Sequence, residues 1–527
     1  MNFKLRSLVA ATLAGSMLMG FGTSAMADST DDILNALIAK GVLTEEEGAL
    51  LQKGRTGEKE AAEKKKKEGV SAKFKNGAIS LESGDGNNSI ALTGRMHFDA
   101  RSVDANTGQA TENDRDTKSL ADNFEIRRAR IGAKGKFMKN FDYEVVGNLV
   151  GSNTNILDVA FVNWSGYQPF QIRVGQFKQP FNLEELTSSN NIDFMERSYI
   201  NQITPAKKPG AMIHGVPTPG LTYAVSAYQQ SNWGEESMEE NGKSFAARAT
   251  LNFAELADMK ESVLHLGAAG FDTEYGINPT ASGNTSDAAS ATTRATVFAF
   301  RSGGRGLSNA YRAQIGGASL PTATYGGMSN YTARIQNKAY GLELAAAHKS
   351  FKFQSEFTNQ SFDASHVSAA SGTGSNAVAA TNNTLAADVQ AYYVEALYML
   401  TGENYADWYK NGAWSAIKPN SDFNLETGKG KGAWEIGLRF DEFKVDNTNL
   451  TGSNGRFQGT TSTAAAGSNG GAKTYTAGLK WVLNPNMRMM LNYSHTKYDT
   501  AFAPIDMVGG VVNDKEDLVM MRTQFSF

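Results

Sequence analysis

Charged side chains in this chain recur at every second position in runs whose alternate residues are apolar. From Ile90 to Arg101, residues Arg95, His97, Asp99 and Arg101 alternate with Gly94, Met96, Phe98 and Ala100. Period-2 alternation marks a strand with two unlike faces. Carried through the chain, the same phase gathers Arg95, Arg101, Arg127, Arg173, Arg248, Lys352, Arg439, Lys480, Arg488 and Arg522 on the polar side. It gathers Asp99, Asp142, Glu144, Asp158, Glu343, Glu356, Glu395, Glu435 and Asp441 there too. A face carrying both signs suits a water-filled wall better than a dry core. Opposed rings of charge orient water and steer ions, but discriminate between them only weakly. Many of these pairs are expected to brace neighbouring strands. Arg127 and Arg128 are adjacent, so a regular strand cannot turn both inward. Either one lies beyond the apolar band or a bulge brings it in.

Catalytic chemistry is poorly provided for. Six histidines are scattered without metal-ligand spacing. Cysteine is absent, which removes thiolate nucleophiles, disulfides and cysteine-ligated metals. Serine–histidine catalysis is the main nucleophilic option left, and no histidine lies in a context that supports it. Glycine-rich phosphate loops do not occur between a strand and a helix. The sequence therefore reads as no enzyme, with no cofactor and no metal. A net charge of −3 implies no nucleic-acid partner.

The elements that must position the charged faces are strands. The last thirteen residues place Val519, Met521, Thr523, Phe525 and Phe527 on one face and Leu518, Met520, Arg522, Gln524 and Ser526 on the other. An apolar face ending on an aromatic residue, backed by a face that carries arginine, is the pattern of a membrane strand around a wet lumen. Sixteen such strands are expected, at about 90–101, 122–137, 140–151, 156–165, 170–178, 210–216, 220–230, 243–254, 262–273, 338–348, 350–361, 387–400, 432–446, 472–483, 486–499 and 515–527. No apolar run of about 18 residues follows the N-terminal segment, so helical spans are excluded. Connections alternate between long and short, as in barrels with short periplasmic turns and long outer loops. Two connections break that rule: 152–155 is short where a loop is due, and 401–431 is long where a turn is due. The run 295–301 is strand-like but would spoil the even count, so it is assigned to an outer loop. The tracts 362–386 and 450–472 read as mobile outer loops. Trp164, Tyr167, Tyr392, Tyr393, Trp481, Tyr493 and Tyr498 are candidates for interfacial girdles.

The N-terminus reads as a secretory signal over 1–27, with Lys4 and Arg6 before an apolar stretch and Ala25-Met26-Ala27 as the cleavage site. Residues 28–89 are expected to form a periplasmic segment. Two short helices occupy 29–53, and 54–69 is a charged helix or solvated linker. The expected fold is thus an all-β, sixteen-stranded antiparallel transmembrane barrel over 90–527, with a short helical N-terminal segment.

Several stretches resemble the phosphate-selective porin O and P family: FEIRRARIGAKG (124–135), LDVAFVNWSGYQPFQIRVGQFKQPFNLEELTSS (157–189), YMLTGEN (398–404), IKPN (417–420) and GAWEIGLRFDEFKVDN (432–447). The resemblance implies a trimeric barrel in the outer membrane of a Gram-negative bacterium. Its third outer loop, here 179–209, folds inward as the constriction. It also implies an arginine ladder onto which Arg95, Arg127 and Arg128 fall, with Asp158 at the family's aspartate. Arg294, Arg301 and Arg305 match the outer ladder more loosely. The family's central lysine after Leu-Glu is replaced by Glu185, and 357–387 contains no lysine. Around the loop, Lys178, Arg197, Lys207 and Lys208 oppose Glu184, Glu185, Asp193 and Glu196, leaving no net sign. The reading is a diffusion pore for small hydrophilic solutes with a modest preference for anions. A phosphate or polyphosphate pore and a structural or adhesive barrel are the alternatives. Its partners would be membrane lipid, solutes, two further copies, and the assembly machinery that meets Phe527.

Overall fold

The computed structural model describes Glu46 and residues 69–75, 77–105, 122–150, 156–230, 243–277, 294–305, 311–316, 333–368, 381–451, 456–458, 469–502 and 513–527. The chain divides into two units, Met1–Val70 and Ser71–Phe527, and the described residues belong almost wholly to the second. The expected signal segment and, apart from Glu46, the expected helices of 29–53 lie outside the described residues, as does 54–68.

Two strands precede the barrel. β1 (Val70–Lys75) and β2 (Ala78–Ser83) form a hairpin, and β2 pairs with the start of β3 through Ser80–Ala91, Leu81–Ile90 and Glu82–Ser89. The end of the segment 28–89, for which no helix or strand was expected, is thus β structure. Sixteen strands then form the barrel: β3 (Ser89–Ala105), β4 (Asn123–Phe137), β5 (Phe141–Asn148), β6 (Leu157–Trp164), β7 (Gln171–Lys178), β8 (Lys207–Thr218), β9 (Leu221–Tyr228), β10 (Ser244–Asn252), β11 (Ser262–Ile277), β14 (Ala333–His348), β15 (Phe351–Ser368), β16 (Thr381–Met399), β19 (Ala433–Thr451), β21 (Gly470–Asn484), β22 (Met487–Phe502) and β23 (Asn513–Ser526). All the expected strands are found. β23 returns to pair antiparallel with β3, from Glu516–Ala105 to Ser526–Arg95, so the ring has no free edge. Closure satisfies every ladder hydrogen bond within the wall, the condition for crossing a bilayer with strands.

Alternation decides which face each residue takes. On β23, Val519, Met521, Phe525 and Phe527 are exposed outside, while Leu518, Met520, Arg522 and Gln524 are buried inside. Phe527 closes the ring at its C-terminal corner. It exchanges two backbone hydrogen bonds with Gly94, each 3.0 Å. A Cβ on Gly94 would come within 2.3 Å of the Phe527 ring, so only glycine admits the phenylalanine there.

The wall is uneven in height. β5, β6, β7 and β9 have eight residues each, whereas β11, β14, β15, β16 and β19 have sixteen to nineteen. β15 continues to Ser368 and β16 begins at Thr381, so both ends of 362–386, expected as a mobile loop, are strand, and 369–380 lie outside the described residues. Phe362, Ala364, Leu385 and Ala387 are buried there. What covers them is a second sheet inside the barrel, formed by β12 (Arg294–Phe300), β13 (Tyr311–Gly316) and β20 (Arg456–Gln458). The run at 295–301 is therefore a strand, but not of the wall. Within 450–472, Arg456–Gln458 is ordered as β20, and Gly470 already belongs to β21. Tyr393 and Tyr498 are buried on the inner face and leave the list of girdle candidates.

Candidate functional site

Loop 179–206 crosses the lumen and is fastened to one side of it. Two phenylalanines anchor it. Phe181 packs with Phe271 at 4.8 Å between centroids, and Phe194 enters a gap left by glycine in the wall. A Cβ on Gly478 would lie 2.9 Å from the Phe194 ring. The Glu356 carboxylate accepts the backbone N–H groups of Leu183 (2.7 Å) and Glu184 (2.8 Å), while the Asp441 carboxylate accepts that of Tyr199 (3.0 Å).

Three of the loop's acids, Glu184, Asp193 and Glu196, are bound by cations of the wall. Glu184 pairs with Arg439 at 2.7 Å. Asp193 joins Lys352 (2.5 Å) and Lys480 (3.2 Å). Glu196 meets Arg127 (3.0 Å), Arg522 (3.0 Å) and Arg101 (3.1 Å). Burial pushes the Glu196 carboxyl up, but Arg127, Arg522 and Arg128 outweigh it and hold the group well below the usual carboxylate range. Arg488 donates to the backbone carbonyl of Ser189 at 3.2 Å. Most of the inward charges on β15, β16 and β19–β23 are thus spent holding the loop and each other, as expected of bracing pairs.

The other side of the loop borders a cavity of 1610 Å³ against β4–β10. A smaller one of 330 Å³ lies towards the short-turn end, and Arg95, Arg130 and Glu144 line both. Eleven arginines and lysines line the larger cavity against four carboxylates, Asp142, Glu144, Asp158 and Glu185. Two of those four are neutralised locally. Asp158 bonds Arg130 (2.9 Å) and Lys207. Glu185 bonds Arg197 at 3.3 Å and Lys178 at 3.8 Å. Burial raises the Glu185 carboxyl, yet Arg197 and Lys178 together bring it below its ordinary value, so it remains an anion. Arg173 lies over the Phe161 ring at 4.4 Å and, among the described residues, has no carboxylate within ion-pairing distance. Arg248 turns away from the water to pair with Glu343 at 2.6 Å.

Bulges set the inward phase at two points. In the β3–β4 ladder His97 faces Arg128 and Phe98 faces Ile126, so Arg127 is the extra residue. The bulge brings both arginines into the lumen: Arg127 to Glu196, and Arg128 to the cavity, where its Nη1 has no partner among the described residues. In the β5–β6 ladder Val146 faces Val159 and Gly147 faces Leu157, so Asp158 is the extra residue and turns inward. Below the first bulge the phase runs Arg128, Arg130, Gly132, Lys134, Lys136. Arg130, Lys134, Lys136 and Lys139 line the two cavities, yet a phase taken from Arg127 misses them. The repeated two-residue spacing from Arg128 was the signal that could have found them.

Lys178, Lys207 and Lys208 belong to β7 and β8, not to the loop they flank, a correction to the expected loop boundaries. Arg305 reaches Glu125 at 3.7 Å beside Arg101, and Arg301 donates its backbone N–H to Gln202. The side chain of Arg294 is not described. The long turn 400–432 was not anticipated as part of the site. It re-enters the barrel through the ladder of β17 (Tyr409–Lys410) and β18 (Ala413–Trp414). Trp414 donates its backbone N–H to Thr187 Oγ1 (3.3 Å) and its Nε1 to Gln354 (2.6 Å), and Lys352 lies 4.3 Å from its ring.

The sequence profile of the phosphate-selective porin O and P family matches residues 90–527. This chain belongs to that family. It is 26% identical to Porin O of Pseudomonas aeruginosa over 447 residues, covering 80% of this chain and 86% of that protein. Among solved structures, an anion-selective porin from Comamonas acidovorans aligns with TM-score 0.43 and 11% identity, over 84% of this chain and all of that one. OmpT of Vibrio cholerae aligns with TM-score 0.44 and 8% identity, over 84% and 98%. The protein is an outer-membrane porin, a closed barrel whose lumen conducts small hydrophilic solutes.

Proposed function

We propose that this porin passes small anions in preference to cations and holds phosphate only weakly. One observation carries the reading: Glu184 and Asp193 of the loop are turned to the far wall and Glu196 is held by three arginines, which leaves eleven cationic residues against four acidic ones, Glu185 among them, around the larger cavity. A cleft lined by one sign of charge concentrates counter-ions, and the low dielectric of the wall strengthens the effect. Size exclusion comes from loop 179–206 and from the re-entrant turn at Trp414.

Weak rather than tight phosphate binding is expected because the cations nearest the loop are already occupied. Lys178 donates to the backbone carbonyls of Glu185, Leu186 (3.4 Å) and Thr187 (2.9 Å). Arg197 donates to those of Glu184 (3.1 Å) and Thr187 (2.9 Å). Stripping water from a multivalent anion needs several uncommitted donors. Glu185 adds a fixed negative charge where the family places a lysine. Chloride conductance with phosphate added tests this. The unmodified pore should be unaffected by micromolar phosphate, and Glu185→Lys should make chloride current sensitive to it. Block of the unmodified pore at micromolar phosphate would establish the phosphate-specific alternative.

The low wall supports assembly into trimers. Eight residues tilted in a barrel fall short of the nine to eleven a membrane strand needs. Yet Val145, Val162, Val174 and Val225 are exposed on the outer faces of β5, β6, β7 and β9. A neighbouring copy covers this side in the proposed assembly. The short turns and the hairpin β1–β2 then face the periplasm, the compartment also proposed for residues 28–69, and the strand ending at Phe527 is what the insertion machinery reads.

A further inference from the structure

On the outer face of β21, β22 and β23, three lysines stand directly opposite one another. Lys473 is paired in register with Lys497, and Lys497 with Lys515. Like charges directly opposed across a ladder destabilise it. Nearby carboxylates relieve the row unevenly: two reach Lys473 and Asp517 lies beside Lys515 on the same face, while Lys497 at the centre is paired with none among the described residues. Glu442 accepts the Tyr392 hydroxyl (2.6 Å) and pairs with Lys444 (3.3 Å), leaving Lys473 at 3.9 Å. Asp499 is also 3.9 Å from Lys473. Asp517 is taken up by the Tyr493 hydroxyl (2.5 Å) and His495 (2.8 Å). Among the described residues, neither Lys497 nor Lys515 has a carboxylate within ion-pairing distance.

The height of the row on the barrel is informative. One step below it runs Tyr475–His495–Asp517, and the next is Ala477–Tyr493–Val519. Below these the outer face is apolar down to Trp481, Met489 and Phe525. Lys515 is twelve positions from Phe527, about 30 Å up a tilted strand, just above an apolar band of about 25 Å. The row is on the long-loop side, above the tyrosines, on the part of the ring remote from the low wall. There the barrel meets the polar heads of the outer leaflet.

We propose that Lys473, Lys497 and Lys515 form a docking row for a phosphate-bearing lipid headgroup of the outer leaflet. The phosphate supplies negative charge at Lys497, where the neighbouring carboxylates do not reach, and the acyl chains lie against Leu479, Leu491, Val519 and Met521 beneath. This surface is outside the pore and independent of the solute the pore passes.

The test uses the full chain as the purified, heat-modifiable barrel in detergent. Binding is measured by native mass spectrometry with bisphosphorylated lipid A, with lipid A stripped of both phosphates, and with inorganic phosphate. The unmodified protein should bind the bisphosphorylated form and discriminate against the stripped one. Lys497→Gln should weaken binding about five-fold, and the triple glutamine variant on the order of a hundredfold, at the usual contribution of one lysine near an anionic surface. Lys338→Gln, on the outer face of β14, should leave binding unchanged and controls for folding. In lipid-free detergent Lys497→Gln should unfold at the same or a higher temperature, because it relieves repulsion. Equal binding of the stripped lipid, or equal binding by the triple variant, would overturn the proposal. Displacement of lipid A by millimolar inorganic phosphate would also overturn it, since the site would then hold free phosphate.

Discussion

Arg127 and Arg128 show how one inserted residue divides labour between neighbours. Arg127 is bound into the loop through Glu196, while Arg128 borders the cavity with a buried Nη1 that has no partner among the described residues. Removing one partner of a buried pair exposes an uncompensated charge, costing about 3–5 kcal/mol at most. Here Arg101 and Arg522 still meet Glu196, so the cost should fall below that range. Arg127→Gln should therefore lower the temperature at which the barrel becomes SDS-sensitive, with a smaller change in selectivity. Arg128→Gln should leave that temperature unchanged and reduce the anion-to-cation permeability ratio about two-fold, equivalent to roughly 0.4 kcal/mol. Gel mobility against temperature and reversal potentials separate the two effects. Identical behaviour of the two variants would contradict the division.

At the scale of elements, the re-entrant turn and loop 179–206 lean on each other through Trp414 and Thr187. Trp414→Ala removes a ring packed against Tyr409 at 5.1 Å and Tyr405 at 6.3 Å, and should destabilise the turn by about 3–5 kcal/mol. With the turn loosened, single-channel conductance should rise and fluctuate; an unchanged, quiet conductance would show that the turn does not narrow the pore. The strands themselves were readable, because period 2 survives in each of the sixteen and a half-apolar face leaves its mark in composition. The contents of the lumen were not. Val297, Phe298 and Phe300 bury their rings and methyls in the inner sheet; their run reads as a strand, but nothing local tells a strand inside the lumen from one of the wall. Trp408 and Trp414 read like ordinary turn aromatics. What identifies such residues is the wall they touch, which is remote in sequence. Arg130, Lys134 and Lys136 were missed for a different reason: one bulge shifts every side chain beyond it.

The barrel, taken as a whole, is an asymmetric cylinder. Its tall side, β11 to β23, is filled by the inner sheet, the loop and the turn, and its low side carries the water and the cations. Val174→Arg on the low outer wall should yield monomers that still shift on boiling, because the substitution disrupts contact between copies while ring closure is untouched. Cross-linking or native mass spectrometry would read the change; an unmodified protein that is itself monomeric would contradict the assembly. A trimer joined at the low walls would also direct the lysine row of β21–β23 towards lipid.

The separation of charge within the lumen is the claim from which selectivity follows. The reversal potential of the unmodified channel in a potassium chloride gradient across a planar bilayer tests it most directly. A potential of the sign set by chloride, reduced in Arg128→Gln, is the predicted result. A potential near zero, or of the sign set by potassium, would contradict it.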